Sequence, residues 1–241
     1  MALTKVRGGG VDSLFDDEDS NIIIGRGRIG NTISASDHAS FQHRDLGTGS
    51  NNDYAILQTA SGGTQINSSS GQSLFINIGN SQAIKIDSDK IIRMENQPAF
   101  NVNVNSTQTM SAGSHITINM DTERFDQNAD FNTSTYKFVA PVTGRYFLST
   151  FIRVDHIDIS SDYMDLRITT SNHTYQNVYN SDLEATADNP FTTLTLAVLA
   201  DMDANDEAYV TLFVEGHVAA SSGTTSINTG GSSGFFGYLA C

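Results

Sequence analysis

Arg145-Tyr146-Phe147-Leu148-Ser149-Thr150-Phe151-Ile152-Arg153-Val154-Asp155 alternates with a period of two. Tyr146, Leu148, Thr150, Ile152 and Val154 fall on one side of an extended chain, and Phe147, Ser149, Phe151 and Arg153 fall on the other, because successive side chains of a strand point to opposite faces. Both sides are partly apolar. A two-faced strand of this kind belongs between two layers, or between one layer and a neighbouring subunit. Outward from it, Met164, Leu166 and Ile168, then Leu194, Leu196 and Val198, then Ala208, Val210, Leu212 and Val214, and finally residues 235–239 repeat the pattern between breaks of Asn, Asp, Gly and Pro190. This spacing predicts an all-β sandwich after Pro98. Residues 194–200 are the one stretch open to a helical reading, and Thr193 and Thr195 tip them to strand.

Before Pro98 the texture differs. Between residues 31 and 95 the apolar residues come in short bursts: Ile56-Leu57, Ile66, Leu74-Phe75-Ile76 with Ile78, Ile84 and Ile86, then Ile91-Ile92 and Met94. Ser, Gly, Gln and Asn separate them, which reads as short strands joined by tight turns. These strands are too sparse in apolar residues to close a sandwich within one chain, so a core shared among several chains is expected, as in a fibre shaft. Residues 1–30 hold a Gly triplet, the acidic cluster Asp16-Asp17-Glu18-Asp19 and the run Ile22-Ile23-Ile24. Their composition is that of a segment that orders against a partner. The expected organisation is therefore a docking segment (1–30), a β-rich stem (31–95) and a sandwich head (96–241).

Composition narrows the function. The 241 residues carry 13 Lys+Arg against 27 Asp+Glu, a formal charge of −14, and that field opposes a surface that tracks phosphates. Nucleic acid is not an expected partner. No apolar run approaches the roughly 20 residues that span a bilayer, and residues 1–10 lack the apolar core of a signal peptide. The expectation is a chain made and folded in cytoplasm without membrane insertion. Cys241 is the one cysteine, so no disulfide or cysteine-based zinc site can form within a chain.

Three stretches in order carry a resemblance. Phe125-Asp126-Gln127-Asn128-Ala129-Asp130-Phe131-Asn132 followed by Tyr136-Lys137-Phe138-Val139-Ala140-Pro141-Val142-Thr143-Gly144-Arg145-Tyr146-Phe147 resembles the central signature of the complement one-q-like domain. Residues 199–210 are similar to that family's "L-x-x-G-D-x-V" turn and strand, and residues 233–239 to its closing "F-S-G-F-L" strand. Leu148 and Thr150 stand where the family has aromatics. The resemblance implies a jelly roll packed as a tight trimer, with a closing strand central to assembly. On that footing Tyr146, Leu148, Phe235, Phe236, Tyr238 and Leu239 are expected at the trimer interface. A one-q-like head behind a Gly/Ser/Asn-rich β segment also resembles fibre and tip proteins of tailed bacteriophages. That resemblance implies a homotrimeric virion protein, docked on other virion proteins through Ile22, Ile23, Ile24, Arg26 and Arg28. Its head would face a host glycan or protein through loops 155–165, 172–189 and 219–230, with Asp158, Asp162, Tyr175 and Tyr179 as receptor candidates. A capsid-mounted head fibre or decoration protein is the alternative, since a stem of about 65 residues is short for a long tail fibre, and a trimeric binding domain outside a virion is a further one.

Motifs that look catalytic lack their context. Gly25-Arg26-Gly27-Arg28-Ile29-Gly30 fits G-x-G-x-x-G, but no helical stripe follows to hold a pyrophosphate. It reads as a tight turn, with Arg26 and Arg28 facing acidic groups of a neighbour. Gly230-Gly231-Ser232-Ser233-Gly234 fits G-x-S-x-G, yet no helix, acid or histidine follows. Neither a catalytic residue nor a cofactor is expected. Asp201-Met202-Asp203-Ala204-Asn205 begins like a calcium loop, but Asp206 and Leu212 stand where an EF-hand needs Gly and Glu. A looser calcium site remains open at Asp201 and Asp203, or at Asp155, Asp158, Asp162 and Asp165. The six histidines are scattered, and His38 and His43 have poor ligand spacing.

Overall fold

The computed structural model describes residues 21–32, 35–46, 53–181 and 187–241. The chain divides into two compact units, 1–95 and 96–241. All described regular structure is strand.

The first unit begins with a five-stranded antiparallel meander in sequence order: β1 (Asn21–Ile24), β2 (Gly27–Thr32), β3 (Ala35–His43), β4 (Tyr54–Thr59) and β5 (Thr64–Ile66). Gly25 turns the first hairpin at a φ of 59°, so the G-x-G-x-x-G stretch is a hairpin and not the mouth of a nucleotide site. A three-stranded antiparallel sheet follows, made of β6 (Leu74–Ile78), β7 (Ser81–Ile86) and β8 (Ile92–Arg93). Leu57 is the one large apolar side chain of this unit buried among its described residues. Single-layered sheets leave apolar faces in water, and stable domains rest on at least two packed layers.

The head is a sandwich of two antiparallel sheets, as the alternation predicts. Its strands are β9 (Ala99–Asn103), β10 (Gln108–Thr109), β11 (Ile116–Thr117), β12 (Thr122–Asp126), β13 (Phe131–Asn132), β14 (Lys137–Val139), β15 (Gly144–Ile157) and β16 (Ser161–Thr170). They continue through β17 (Thr174–Asn180), β18 (Asn189–Met202), β19 (Glu207–Gly216), β20 (Ala219–Ala220), β21 (Gly223–Thr224), β22 (Ser226–Ile227) and β23 (Gly234–Leu239). In the first sheet β15 runs between β18 on one side and β23 and β22 on the other; β9 and then β12 extend it beyond β23, and β10 beyond β22. The second sheet runs β13-β14-β19-β16-β17, with β11 also on β19. Residues 194–200, read as strand on Thr193 and Thr195, lie inside β18 and pair with β15 throughout.

The core lies between the sheets. Tyr146, Leu148, Ile152 and Val154 meet Met164, Leu166, Ile168, Val210, Leu212 and Val214 there, with Phe100, Phe131, Phe138 and Phe235 clustered toward one end. The rings of Phe100 and Phe138 stack at 4.6 Å, and Phe235 meets Phe100 edge-on at 5.1 Å. Tyr146 keeps its hydroxyl satisfied in this apolar setting by donating to the Val142 carbonyl at 2.7 Å. Gly237 sits where β23 passes closest to the core: a Cβ there would lie 2.6 Å from Leu148, 2.8 Å from the Phe147 carbonyl and 3.0 Å from Phe100.

Candidate functional site

The outward face of the first sheet follows from its register, since residues directly opposite in an antiparallel pair share a side. Leu199, Phe147, Tyr238 and Ala99 form one rung; Ala197, Ser149, Phe236, Asn101 and Phe125 the next; Thr195, Phe151, Gly234 and Asn103 a third. No charged residue is paired on these three rungs, in a chain of charge −14; Arg124, in the β12 bulge, reaches the third at its edge and donates to Asn103 Oδ1 at 2.7 Å. The rings of Phe147 and Tyr238 lie 5.4 Å apart on this face, and Phe125, Leu199 and Tyr238 are about half exposed. Charge returns at both ends: Arg145 stands opposite Asp201 on the rung beyond Phe147 and Leu199, and at the far end Arg153 lies over the Phe191 ring at 4.5 Å and bonds Asp155 at 2.7 Å.

The outward face of the second sheet has the opposite chemistry. Lys137 pairs with Glu207 at 2.6 Å and lies over the Tyr209 ring at 5.1 Å. Arg167 holds the Oδ2 of Asp165 with both Nε and Nη2, while Oδ1 of that buried carboxylate has no hydrogen-bond partner. Phe213 packs between Tyr163 and His115. Burial, and then the nearby Arg167 charge, lower the pKa of His115. One face of the sandwich thus suits water, and the other suits another apolar surface.

This arrangement corrects several expectations. Tyr146, Leu148 and Phe235 are fully buried inside the chain, because in this register their parity points inward; they cannot sit at a subunit interface. Of the expected interface set, Phe236 and Tyr238 share the outward face, and Leu239 packs partly on the core. Phe147, Phe151, Ala197 and Leu199 are the face residues that reading missed. Residues 174–180 are not a loop but edge strand β17, and Tyr175 and Tyr179 pack against the core instead of projecting to a ligand. Tyr175 and Tyr179, four residues apart and so on one face of a strand, were the available signal. Asn177 on the same strand donates to the Thr195 carbonyl of β18 at 2.9 Å, linking the two sheets at their edges. Asp158 is buried and caps the β15–β16 turn, accepting from the Ser160 amide at 2.7 Å. Asp162 is exposed, while residues 182–186 of the 172–189 loop lie outside the described residues.

The metal candidates do not converge. Asp155 bonds Arg153 and Asn228, Asp203 accepts from Thr143 at 3.4 Å in the β18–β19 turn, and Asp201 lies beside it on β18. Among the described residues no three His, Cys, Asp or Glu side chains gather as a metal group would require. Ser232, the serine of the G-x-S-x-G stretch, donates its hydroxyl to the Thr229 carbonyl at 2.7 Å, and its neighbour Ser233 is buried and accepts from the Arg153 amide at 3.0 Å. No helix follows the stretch, so it is no nucleophile elbow. In the first unit Ile22, Ile23 and Ile24 are exposed on β1, which pairs with β2 as part of the five-stranded sheet. Arg26 finds its acid within the chain, in Asp45, rather than on a neighbour, and the Nε of Arg28 is buried without a partner. The remainder of the expected docking segment, residues 1–20, lies outside the described residues.

The head is a two-sheet antiparallel β-sandwich whose closing strand lies beside one of its two longest strands. Residues 99–240 match the C1q domain, more than half of the sequence, and the chain belongs to the C1q domain family. Among solved structures it is similar to the globular domain of zebrafish complement 1qA protein, at 17% identity and a TM-score of 0.40, over 60% of this chain and 98% of that one. No curated protein matches it.

Proposed function

We propose that this chain is a homotrimeric fibre protein of a bacteriophage virion, attached to the particle through its N-terminal part and presenting its C1q head to the host surface. The observation that carries the trimeric part is the outward face of β15, β18 and β23: three rungs with aromatic and aliphatic side chains and no charge. At about 25 cal/mol per Å² such a face gains by meeting a like face. The ion-paired second sheet stays in water and remains free to meet a ligand.

The virion assignment rests on architecture. Along the sequence a β-rich unit precedes a head of the C1q family, the order that the resemblance to phage fibre proteins implies. Gold-labelled antibody raised against the head, applied to purified particles, tests it. Label at the distal ends of tail-associated projections is expected. Label distributed over the capsid supports the decoration alternative, and particles without label contradict the virion role.

A further inference from the structure

The five-stranded sheet carries an apolar stripe that the head does not account for. Ile22 pairs with Ile29, Ile29 with Phe41, Phe41 with Ile56, and Ile56 with Ile66. All five therefore stand on one rung and one face. At about 4.8 Å per strand the stripe is about 19 Å long. Its residues are between 42 and 66% exposed. Phe41, on the central strand, leans over Gly27, where a Cβ would be 3.5 Å from its ring. The surface beside it, lined by Ile29, Ala39, Phe41, Ile56 and Gln58, is a shallow apolar hollow. The three-stranded sheet repeats the theme, with Leu74, Ile86 and Ile92 on one rung and Ile76 beside Ile84 on the next.

We infer that the occupant of the Ile22-Ile29-Phe41-Ile56-Ile66 stripe is the same stripe of other copies of this chain, so that the stem has a shared apolar core of its own. This inference rests on the trimeric reading of the head. Two observations favour a copy over a foreign protein. Residues 21–95 hold six basic and six acidic side chains, and the whole first unit carries only −3 of the −14, so the sheets that bear the stripe approach one another with little of the repulsion that the chain's charge would otherwise impose. Heads joined as a trimer also hold the stems together at an effective concentration on the order of millimolar, which a separate partner does not match. Phe41 stands midway along the stripe, on the central strand β3, and is the residue chosen to probe it.

The test uses the full chain with Cys241→Ser, so that an introduced thiol is alone. Phe41→Cys, with Ile56→Cys as a second variant, is oxidised mildly and run on a denaturing gel, beside Gln65→Cys on the opposite face as control. The expected result is a disulfide-linked dimer containing about two chains in three, since three thiols on an axis leave one unpaired, with little in the control. A chain whose mass in solution is trimeric but whose stripe thiols cross-link no better than the control overturns the stem inference and leaves the head reading intact. A monomeric mass overturns both.

Discussion

Gly237 is a residue where the head's packing leaves little room. A Cβ there would meet a backbone carbonyl as well as Leu148 and Phe100, and a carbonyl inside a sheet cannot move aside. Gly237→Ala should cost about 1–3 kcal/mol, the usual range for overpacking, read as a lower denaturant midpoint at unchanged slope. Tyr146→Phe removes one hydrogen bond without opening a cavity and should cost about 1 kcal/mol. His115 gives a pH signature. Burial, with the Arg167 charge behind it, lowers its pKa in the fold from the ordinary 6.5. The folded state therefore binds this proton less readily than the unfolded chain, and stability falls as pH drops below about 6.5. Thermal melts at pH 7.5 and pH 5.5 should show His115→Gln losing less stability than the parent on acidification. An equal loss in both would remove His115 as a contributor.

At the scale of elements, β23 lies between β15 and β9 and brings Phe235 into the core and Phe236 and Tyr238 to the outward face. Deleting residues 233–241 exposes the edges of both neighbours, and such edges pair with other chains. The truncated chain should aggregate; a soluble chain of unchanged mass would contradict the role given to β23. The head's strands were legible because each buried one alternates, β15 most plainly. The facing of β15 was not: Tyr146 and Leu148 are as apolar as Phe147 and Phe151, and parity alone leaves either set inside. The register with β18 and β23 decides it. β3 was illegible for a different reason. Its sequence Ala-Ser-Asp-His-Ala-Ser-Phe-Gln-His has one large apolar residue, and pairing with β2 and β4 on both sides makes it a strand. β17 was hidden by its polar composition, although Tyr175 and Tyr179 lie at the even spacing of a strand facing the core.

For the whole molecule, charge and oligomeric state are linked. Of the −14 total, the head accounts for −11, with 5 basic and 16 acidic residues from position 96 onward. On the proposed trimeric virion reading, three assembled heads would repel an anionic cell envelope through a field that salt screens over about 8 Å at physiological ionic strength. On that reading adsorption to host cells is expected to rise with added divalent cation and also with added sodium chloride, since both screen the charge. Dependence on calcium alone would point instead to a specific site. Beneath this lies the claim that the uncharged rungs of β15, β18 and β23 meet those of other copies. Light scattering of the full chain at micromolar concentration tests it most directly, with Phe147→Asp and Phe236→Asp alongside. The account predicts a mass three times the 26.0 kDa of one chain, reduced toward a single chain by either substitution on a head that remains folded. A parent chain that scatters as 26.0 kDa, or trimers indifferent to charge on this face, would contradict it.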